Sequence, residues 1–384
     1  MYKDKGKEMN YARAIFYFFH FYFSFILPLM HIVNIASELA PLAKVGGLGD
    51  VVLGLSRELS WKGHDVDIII PKYDCMDSDQ IRDLNIEHVE MPSFYNGEWH
   101  KNNIWMGWVE NLKVYFIDAQ NSSYFFDRGC IYGCDDDLDR FLYFSRASLE
   151  FMYKAGLNPD IIHIHDWHTA CVAPLYFDMY RKLGFVKSRI VHTIHNADYQ
   201  GKCSVADLNK VGLKGEYYLD RNRLQDDQSP NLINLLKGAV VYSDHVTTVS
   251  PTYAKEIMHP EGGRGLASTF VKYSNKITGV LNGVDYSYWN PEIDRFLPSH
   301  FSSRIMPIDK RDHKTLDKKA FIKKIMREKV NLDALHRPVV GCIARLVPQK
   351  GPELIKHALF RTVEMGGQFV LLGTSPIPSI HHDF

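Results

Sequence analysis

The chain reads as an α/β protein with doubly wound sheets, arranged as two units. Three observations predict this. From residue 31 onward short β-rich runs alternate with amphipathic helical stretches, the rhythm of strand–helix–strand repetition. The runs are near-continuously apolar rather than alternating, as parallel strands covered on both faces require. The length of 384 residues exceeds what one core of ordinary size holds.

Taken in order, the strand candidates of the first unit are 31–36, 66–70, 114–118, 161–165, 190–195, 246–249 and 277–280. Helices are expected between several of them. The stretch 48–61 places Val51, Val52, Leu55 and Leu59 on one side, and 138–154 does the same with Phe141, Leu142, Leu149 and Met152. A third, 231–242, follows Pro230, a residue often found near helix starts. The loop 290–312 carries Pro291, Pro298, Pro307 and many charges, and separates off a second unit. There a basic helix (314–330), a strand (339–344), a helix (353–364) and a strand (368–372) are expected. Two paired strands are marginal alone, so this unit is expected to be cut short. The division is thus 30–300 for the first unit and 301–384 for the second. Residues 1–29 are set apart as a leader: an apolar run at 14–29 follows Lys3, Lys5, Lys7 and Arg13. The run falls short of the ~20 residues needed to span a bilayer, and no small-x-small cleavage site follows. It is read as an extension ahead of a start at Met30, in preference to a signal, an anchor or a buried helix.

Composition narrows the function classes. Hydrophobic residues make up 46% and charged residues 23%, the balance of an ordinary globular protein. Lys plus Arg equals Asp plus Glu at 45 each, so the basic excess that drives phosphate-tracking proteins is missing and no nucleic-acid partner is expected. The six cysteines (Cys75, Cys130, Cys134, Cys171, Cys203, Cys342) form no CxxC pair, and scattered thiols suit a reducing compartment.

Four clusters carry candidate chemistry. The first strand runs into Ser37-Glu38-Leu39-Ala40-Pro41-Leu42-Ala43-Lys44-Val45-Gly46-Gly47-Leu48-Gly49-Asp50. Such a glycine-rich turn lets backbone approach a phosphate, the following helix start adds N–H donors, and Lys44 adds a point charge. The spacing is G-G-x-G, neither a dinucleotide fingerprint nor a P-loop, and a plain tight turn with no ligand is the alternative reading. The fourth strand ends in His163-Ile164-His165-Asp166-Trp167-His168. Zinc is one reading, but the Asp stands one position early for H-x-H-x-D-H; a buried polar strand end is another. The preferred one places Asp166 at the carboxyl edge of the sheet, where open α/β folds bind ligands. His195-Asn196 ends the next strand in the same way. The third cluster, Asp135-Asp136-Asp137, reads as helix-start aspartates rather than a metal-binding D-x-D. The last, Arg345 to Gly351, offers Arg345 and Lys350 at another strand end, a pair suited to a diphosphate.

Together these motifs resemble the bacterial glycogen synthase and plant starch synthase family, glycosyltransferase family 5. The carrying residues are Lys44 to Asp50, His165-Asp166-Trp167, His195-Asn196 with Tyr199-Gln200-Gly201, Thr248 to Tyr253, Asn282-Gly283-Val284-Asp285 with Trp289, and Arg345 to Gly351, in order from about His31 to the last residue. Pro71 to Cys75 is closest to the starch synthase III/IV branch. The resemblance implies a glycosyltransferase-B architecture, two Rossmann-like domains facing across a cleft, the second incomplete here. It implies transfer of glucose from ADP-glucose to the non-reducing end of an α-1,4-glucan, with no cofactor and no metal. Carried over by motif, Lys44, Gly46 and Gly47 border the donor, and Arg345 and Lys350 hold its diphosphate. His195 contacts the glucose, Asp166 lies near the reaction centre, and Glu38, Asp50 and Asn196 face the acceptor. Cytoplasmic localisation is implied, or the plastid for a plant or alga, with no membrane partner.

Two departures stand out. Ala344 replaces the family's usual Ser, and the later Glu-Pro-x-Gly-Leu segment with its catalytic carboxylate is not among the 384 residues. These departures leave the activity of the chain by itself open on the sequence, and robust glucose incorporation into glycogen would overturn an inactive-fragment reading. Three alternatives stay open on the sequence: a dinucleotide oxidoreductase, a zinc hydrolase, and a non-catalytic glucan-binding remnant.

Overall fold

The computed structural model describes residues 28–384 apart from 122, 303–312, 334–336 and 376. The leader reading, residues 1–29, lies outside the described residues except for Pro28 and Leu29.

The chain divides into two units, one ending at Gly283 and the other running from Val284; the sequence reading set the junction at 300/301. The first is built on nine strands: β1 (His31–Ile35), β2 (Asp65–Pro71), β3 (Arg82–Tyr95), β4 (Glu98–Val109), β5 (Leu112–Gln120), β6 (Ile161–His165), β7 (Arg189–Ile194), β8 (His245–Thr248) and β9 (Ile277–Gly279). Their order across the sheet is β9-β8-β7-β6-β1-β2-β5-β4-β3. From β9 to β5 every neighbouring pair is parallel, and β5-β4 and β4-β3 are antiparallel. All seven expected strands are present. Their apolar runs are buried: Ile68, Ile69, Ile70, Val114, Phe116 and Ile117 are inaccessible to solvent.

The long β3–β4 hairpin was not anticipated. Its turn is Asn96-Gly97, both residues at positive φ (49° and 85°), the two-residue hairpin turn that right-twisted strands favour. Its strands mix polar and apolar residues and carry three register shifts, so no clean period of two is visible.

Several helices pack against this sheet, and three of them bear on the sequence reading. Helix α1 (Gly47–Trp61) buries Leu48, Gly49, Val52, Leu53 and Ser56. Of the expected stripe, Val52 is buried and Leu59 packs half-buried against the core, while Val51 and Leu55 are half-buried. The true face includes a serine, buried because Asn34 of β1 donates to its hydroxyl at 3.1 Å. Helix α2 (Asp137–Lys154) is buried from Arg140 to Met152, all around its circumference, because it packs both on the sheet and against neighbouring helical segments. The triple aspartate falls at its start, with Asp136 as N-cap and Asp137 in the first turn. Helix α3 (Leu235–Tyr242) begins four residues later than Pro230 suggested, since the Asn234 side chain caps it by accepting the Lys237 N–H.

The second unit contains α4 (His313–Lys329), β10 (Val339–Ile343), α5 (Pro352–Glu364) and β11 (Gln368–Leu372), with β10 and β11 parallel. Arg327 is buried there. It donates to Gln368 Oε1 at 2.7 Å and to the carbonyls of Asp333 and Arg337, tying α4 to β11.

Candidate active site

The chain builds β1, β2 and β5 on one side, then returns to build β6, β7, β8 and β9 on the other. The order reverses between β1 and β6, and at such a switch point the loops leaving the strand ends part to leave a crevice. The glycine-rich turn leaves β1, Asp166 leaves β6, and His195 leaves β7, so these motif residues all belong to this one edge of the first unit.

Glu38 organises the glycine-rich turn. It is buried, and its Oε2 accepts the N–H groups of Val45 (2.8 Å) and Gly46 (3.0 Å). Its Oε1 accepts the Tyr132 hydroxyl at 3.0 Å, and that hydroxyl lies 2.7 Å from Ser37 Oγ. Burial and then the Glu38 charge hold the Tyr132 phenol well above its ordinary proton affinity, so it stays a donor. The three glycines differ. A methyl at Gly49 would sit 3.1 Å from the Ala40 nitrogen, so helix–turn packing requires this glycine. A methyl at Gly46 or Gly47 would meet nothing within 4 Å, and neither residue has a positive φ. Packing does not call for glycine at 46 or 47, and the backbone there is open to close approach. Gly46 is the N-cap of α1 and offers no side-chain cap, so the first-turn donors of a fifteen-residue helix lack one. Lys44 Nζ lies 2.8 Å from Asp50 Oδ1, joining the expected donor-side cation to an expected acceptor-side carboxylate in an exposed ion pair.

Asp166 is buried and holds an unusual backbone, φ 52° and ψ −167°. Its Oδ1 accepts the N–H of His195 (2.7 Å) and of Asn196 (3.3 Å), and its own N–H donates to the Thr193 carbonyl at 2.9 Å. The carboxylate thus fixes the loop after β7 from the end of β6. Burial pushes the Asp166 carboxyl up, the neighbouring His195 and the two backbone donors pull it down, and Glu38 pushes it up again. Asp166, His195, Asn196 and Glu38 are therefore brought together.

The histidine side chains of these strand ends engage neighbouring residues. His163 Nε2 meets Thr193 Oγ1 at 2.6 Å, and His165 Nδ1 meets His195 Nε2 at 3.1 Å. His168 packs its ring against Trp167, Tyr132 and Phe141. Burial holds His163 and His168 down at about 3 and His165 well below its ordinary value, so all three are neutral at physiological pH. Among the described residues the one group of donors close enough to share an ion is His31, Asp65 and Asp67, at the amino ends of β1 and β2. There Asp67 is already paired with His31 at 2.9 Å and Lys113 at 3.2 Å.

Tyr253, Gln200 and Gly201 brace the 195–201 loop. The Ala197 N–H donates to the Tyr253 hydroxyl (3.0 Å), and Gln200 Nε2 donates to the carbonyls of Ala197 and Arg264. Gly201 has φ 59°, and a Cβ there would lie 2.5 Å from the Trp167 ring. Ser250 caps the helix that carries Tyr253 by accepting that residue's N–H at 2.9 Å.

In the second unit, Arg345 follows β10, and Lys350 closes a short turn before α5 with Gly351 at φ 64° as N-cap. Leu346 is buried and donates its N–H to the Thr374 carbonyl at 2.8 Å, which anchors the loop while Arg345 and Lys350 remain exposed.

Sequence reasoning missed Asn34, Tyr132 and Thr193. Asn34 left a signal, a lone amide in an otherwise apolar strand. Tyr132 left none, since it comes from an irregular loop 94 residues beyond its partner Glu38.

The family model described as the starch synthase catalytic domain matches residues 31–272. A glycogen synthase of Protochlamydia amoebophila is 67% identical over 355 residues, covering 92% of this chain and 71% of that protein. A probable starch synthase 4, chloroplastic/amyloplastic, of Arabidopsis thaliana is 48% identical over 380 residues, 98% of this chain and 36% of its own length. The solved catalytic domain of Starch Synthase IV from Arabidopsis thaliana, bound to ADP and acarbose, superposes with a TM-score of 0.87 at 49% identity, covering 93% of this chain and 71% of that one. Among the described residues no helix is long and apolar enough to cross a membrane.

Proposed function

The chain belongs to the starch synthase catalytic-domain family, glycosyltransferase family 5 with its α/β glycosyltransferase-B fold, and from that premise we propose that it moves glucose from ADP-glucose to the non-reducing end of an α-1,4-glucan with retention at the anomeric carbon. The observation that carries the proposal is the strand-end constellation: an open Gly46-Gly47 turn leaving β1, with Asp166 and His195 held together at the ends of β6 and β7.

In the transfer, the bond from C1 of glucose to the diphosphate oxygen breaks, and a bond from C1 to the glucan 4-oxygen forms. The hydroxyl proton passes to the diphosphate side. The reacting carbon is oxocarbenium-like at the crest, and charge collects on the leaving diphosphate. Lys44, the uncapped donors of α1, Arg345 and Lys350 are the groups we assign to that charge. A charge-assisted hydrogen bond is worth ~1.5–3 kcal/mol, and preorganised cations need no reorganisation as the charge develops. This is why we propose a metal-free reaction. We assign His195 to the glucose and Asp166, with its raised proton affinity, to the neighbourhood of the reaction centre. Glu38 supports the donor turn by the bonds described, and Asp50 and Asn196 are assigned to the acceptor side. Scattered thiols and balanced charge favour a cytoplasmic setting, or a plastid in a plant or alga, without nucleic acid.

The test is incubation with labelled ADP-glucose and glycogen, together with melting curves in ADP-glucose and in maltodextrin. Label in α-1,4 linkage and donor-dependent stabilisation are expected. Stabilisation by maltodextrin alone, with neither donor binding nor label, would replace this reading with a glucan-binding remnant.

A further inference from the structure

A polar relay crosses the sheet beneath His195. Ser56 of α1 accepts from the Asn34 Nδ2 at 3.1 Å. The Asn34 Oδ1 faces His165 Nε2 at 3.4 Å, and His165 Nδ1 faces His195 Nε2 at 3.1 Å. Asn34, His165 and Ser56 are fully buried, on β1, β6 and α1, while His195 is half-buried at the end of β7. Both backbones are also pinned. The His165 N–H donates to Thr169 Oγ1 at 2.7 Å, and the His195 N–H donates to Asp166.

Such a chain has only two self-consistent polarities, because each neutral imidazole has one donor and one acceptor nitrogen. With the Asn34 nitrogen on Ser56, its oxygen accepts His165 Nε2–H. His165 Nδ1 is then a lone pair, and His195 must donate from Nε2. Turning the amide over reverses every link and leaves His195 protonated on Nδ1. Burial keeps His165 neutral, so the choice cannot be escaped by adding a proton there.

We propose that Asn34 and His165 are positioning residues that set the tautomer of His195, protonating its Nε2 and presenting its Nδ1 as a lone pair to a donor hydroxyl of the sugar. This deepens the proposed function and rests on it for the identity of the sugar. The resulting selectivity is chemical: a hydroxyl that donates is accepted, and a ligand offering only an acceptor there is refused.

The experiment is nitrogen-detected imidazole spectroscopy of the whole chain labelled in histidine, with His195 assigned from the spectrum of His195→Gln. Wild type is expected to show His195 and His165 both protonated on Nε2; a His195 protonated on Nδ1 overturns the proposal without any activity measurement. Asn34→Leu removes the acceptor and is expected to release the polarity, moving the His195 proton to Nδ1 and lowering glucose transfer by at least about tenfold, as a wrong tautomer does elsewhere. Asn34→Asp keeps an acceptor facing His165 and is expected to restore both the signal and the rate. An unchanged His195 signal in Asn34→Leu overturns the proposal, and so does a moved proton with an undiminished rate. Should Asn34→Leu fail to fold, the smaller Asn34→Ala removes the same acceptor and is read the same way. The expected tautomers in a wild-type chain that neither binds ADP-glucose nor transfers glucose would support the relay and reject the glucosyltransferase reading instead.

Discussion

His168→Phe should make the protein more resistant to acid without weakening it near neutrality. The imidazole lies against Trp167, Tyr132 and Phe141, with ring centres 4.3, 4.7 and 4.7 Å away, and its Nδ1 is sealed from solvent without a partner. Burial first, and Arg140 second, push its proton affinity down to about 3. In the unfolded chain the same group titrates near ~6.5. Because the folded state holds the proton more weakly, the contribution to stability is intact above about pH 6.5 and is lost as pH falls towards about 3, at ~1.4 kcal/mol per pH unit. At pH 5 the loss through this one side chain reaches about 2 kcal/mol, against about 0.1 at pH 7.5. Phenylalanine binds no proton and suits an aromatic pocket, so at pH 7.5 the variant should stay within about 1.5 kcal/mol of wild type. Urea unfolding at pH 7.5 and 5.0 gives the comparison. The free-energy difference between the two proteins should shift by about 2 kcal/mol in favour of the variant on acidification, and a difference that stays constant between the two pH values would refute the reasoning.

Two glycines should respond in opposite ways. Gly47→Ala meets open space at a helix start and should leave the melting temperature unchanged or raised, while ADP-glucose binding weakens. Gly201→Ala combines φ 59° with a 2.5 Å approach to Trp167 and should cost about 2–4 kcal/mol in denaturant unfolding. Lys350→Ala, at an exposed turn, should lower donor affinity or turnover by roughly ten- to a hundredfold with little change in unfolding; a full-rate variant removes Lys350 from the mechanism. Glu38→Ala removes the acceptor of two backbone N–H groups and of the Tyr132 hydroxyl, and a loss of about 1.5–3 kcal/mol is expected alongside weaker donor binding. Wild-type values for both would show that Glu38 does not hold the turn.

Much of the fold was legible because a buried parallel strand announces itself as an uninterrupted apolar run. The strands at 161–165 and 368–372 match their expected bounds, and the other expected strands agree to within about three residues at either end. The β3–β4 hairpin escaped because an edge hairpin with bulges has no clean alternation, although Asn96-Gly97 was there to be read. At the candidate site, the sequence supplied strand ends but not who braces whom. The donor loop hangs on Glu38 and Tyr132, and the His195 loop on Asp166, Tyr253 and Gln200. These pairings join distant parts of the chain, and only the sheet order makes them neighbours. Ser56 was left off the buried face of α1 for a related reason: it looks solvent-facing until Asn34 is known to lie under it.

The backbone at Asp166 has a consequence for how this position can be probed. A non-glycine residue at φ 52°, ψ −167° costs roughly 1–3 kcal/mol. Its carboxylate recovers a comparable amount through the two N–H groups it accepts. Only glycine relieves that strain, giving up the two bonds in exchange, whereas any other replacement keeps the strain and loses the bonds. In a mutational library sorted first for folded protein and then for sugar transfer, Asp166→Gly should pass the first sort and fail the second. Such a divergence separates an amino acid kept for chemistry from one kept for architecture.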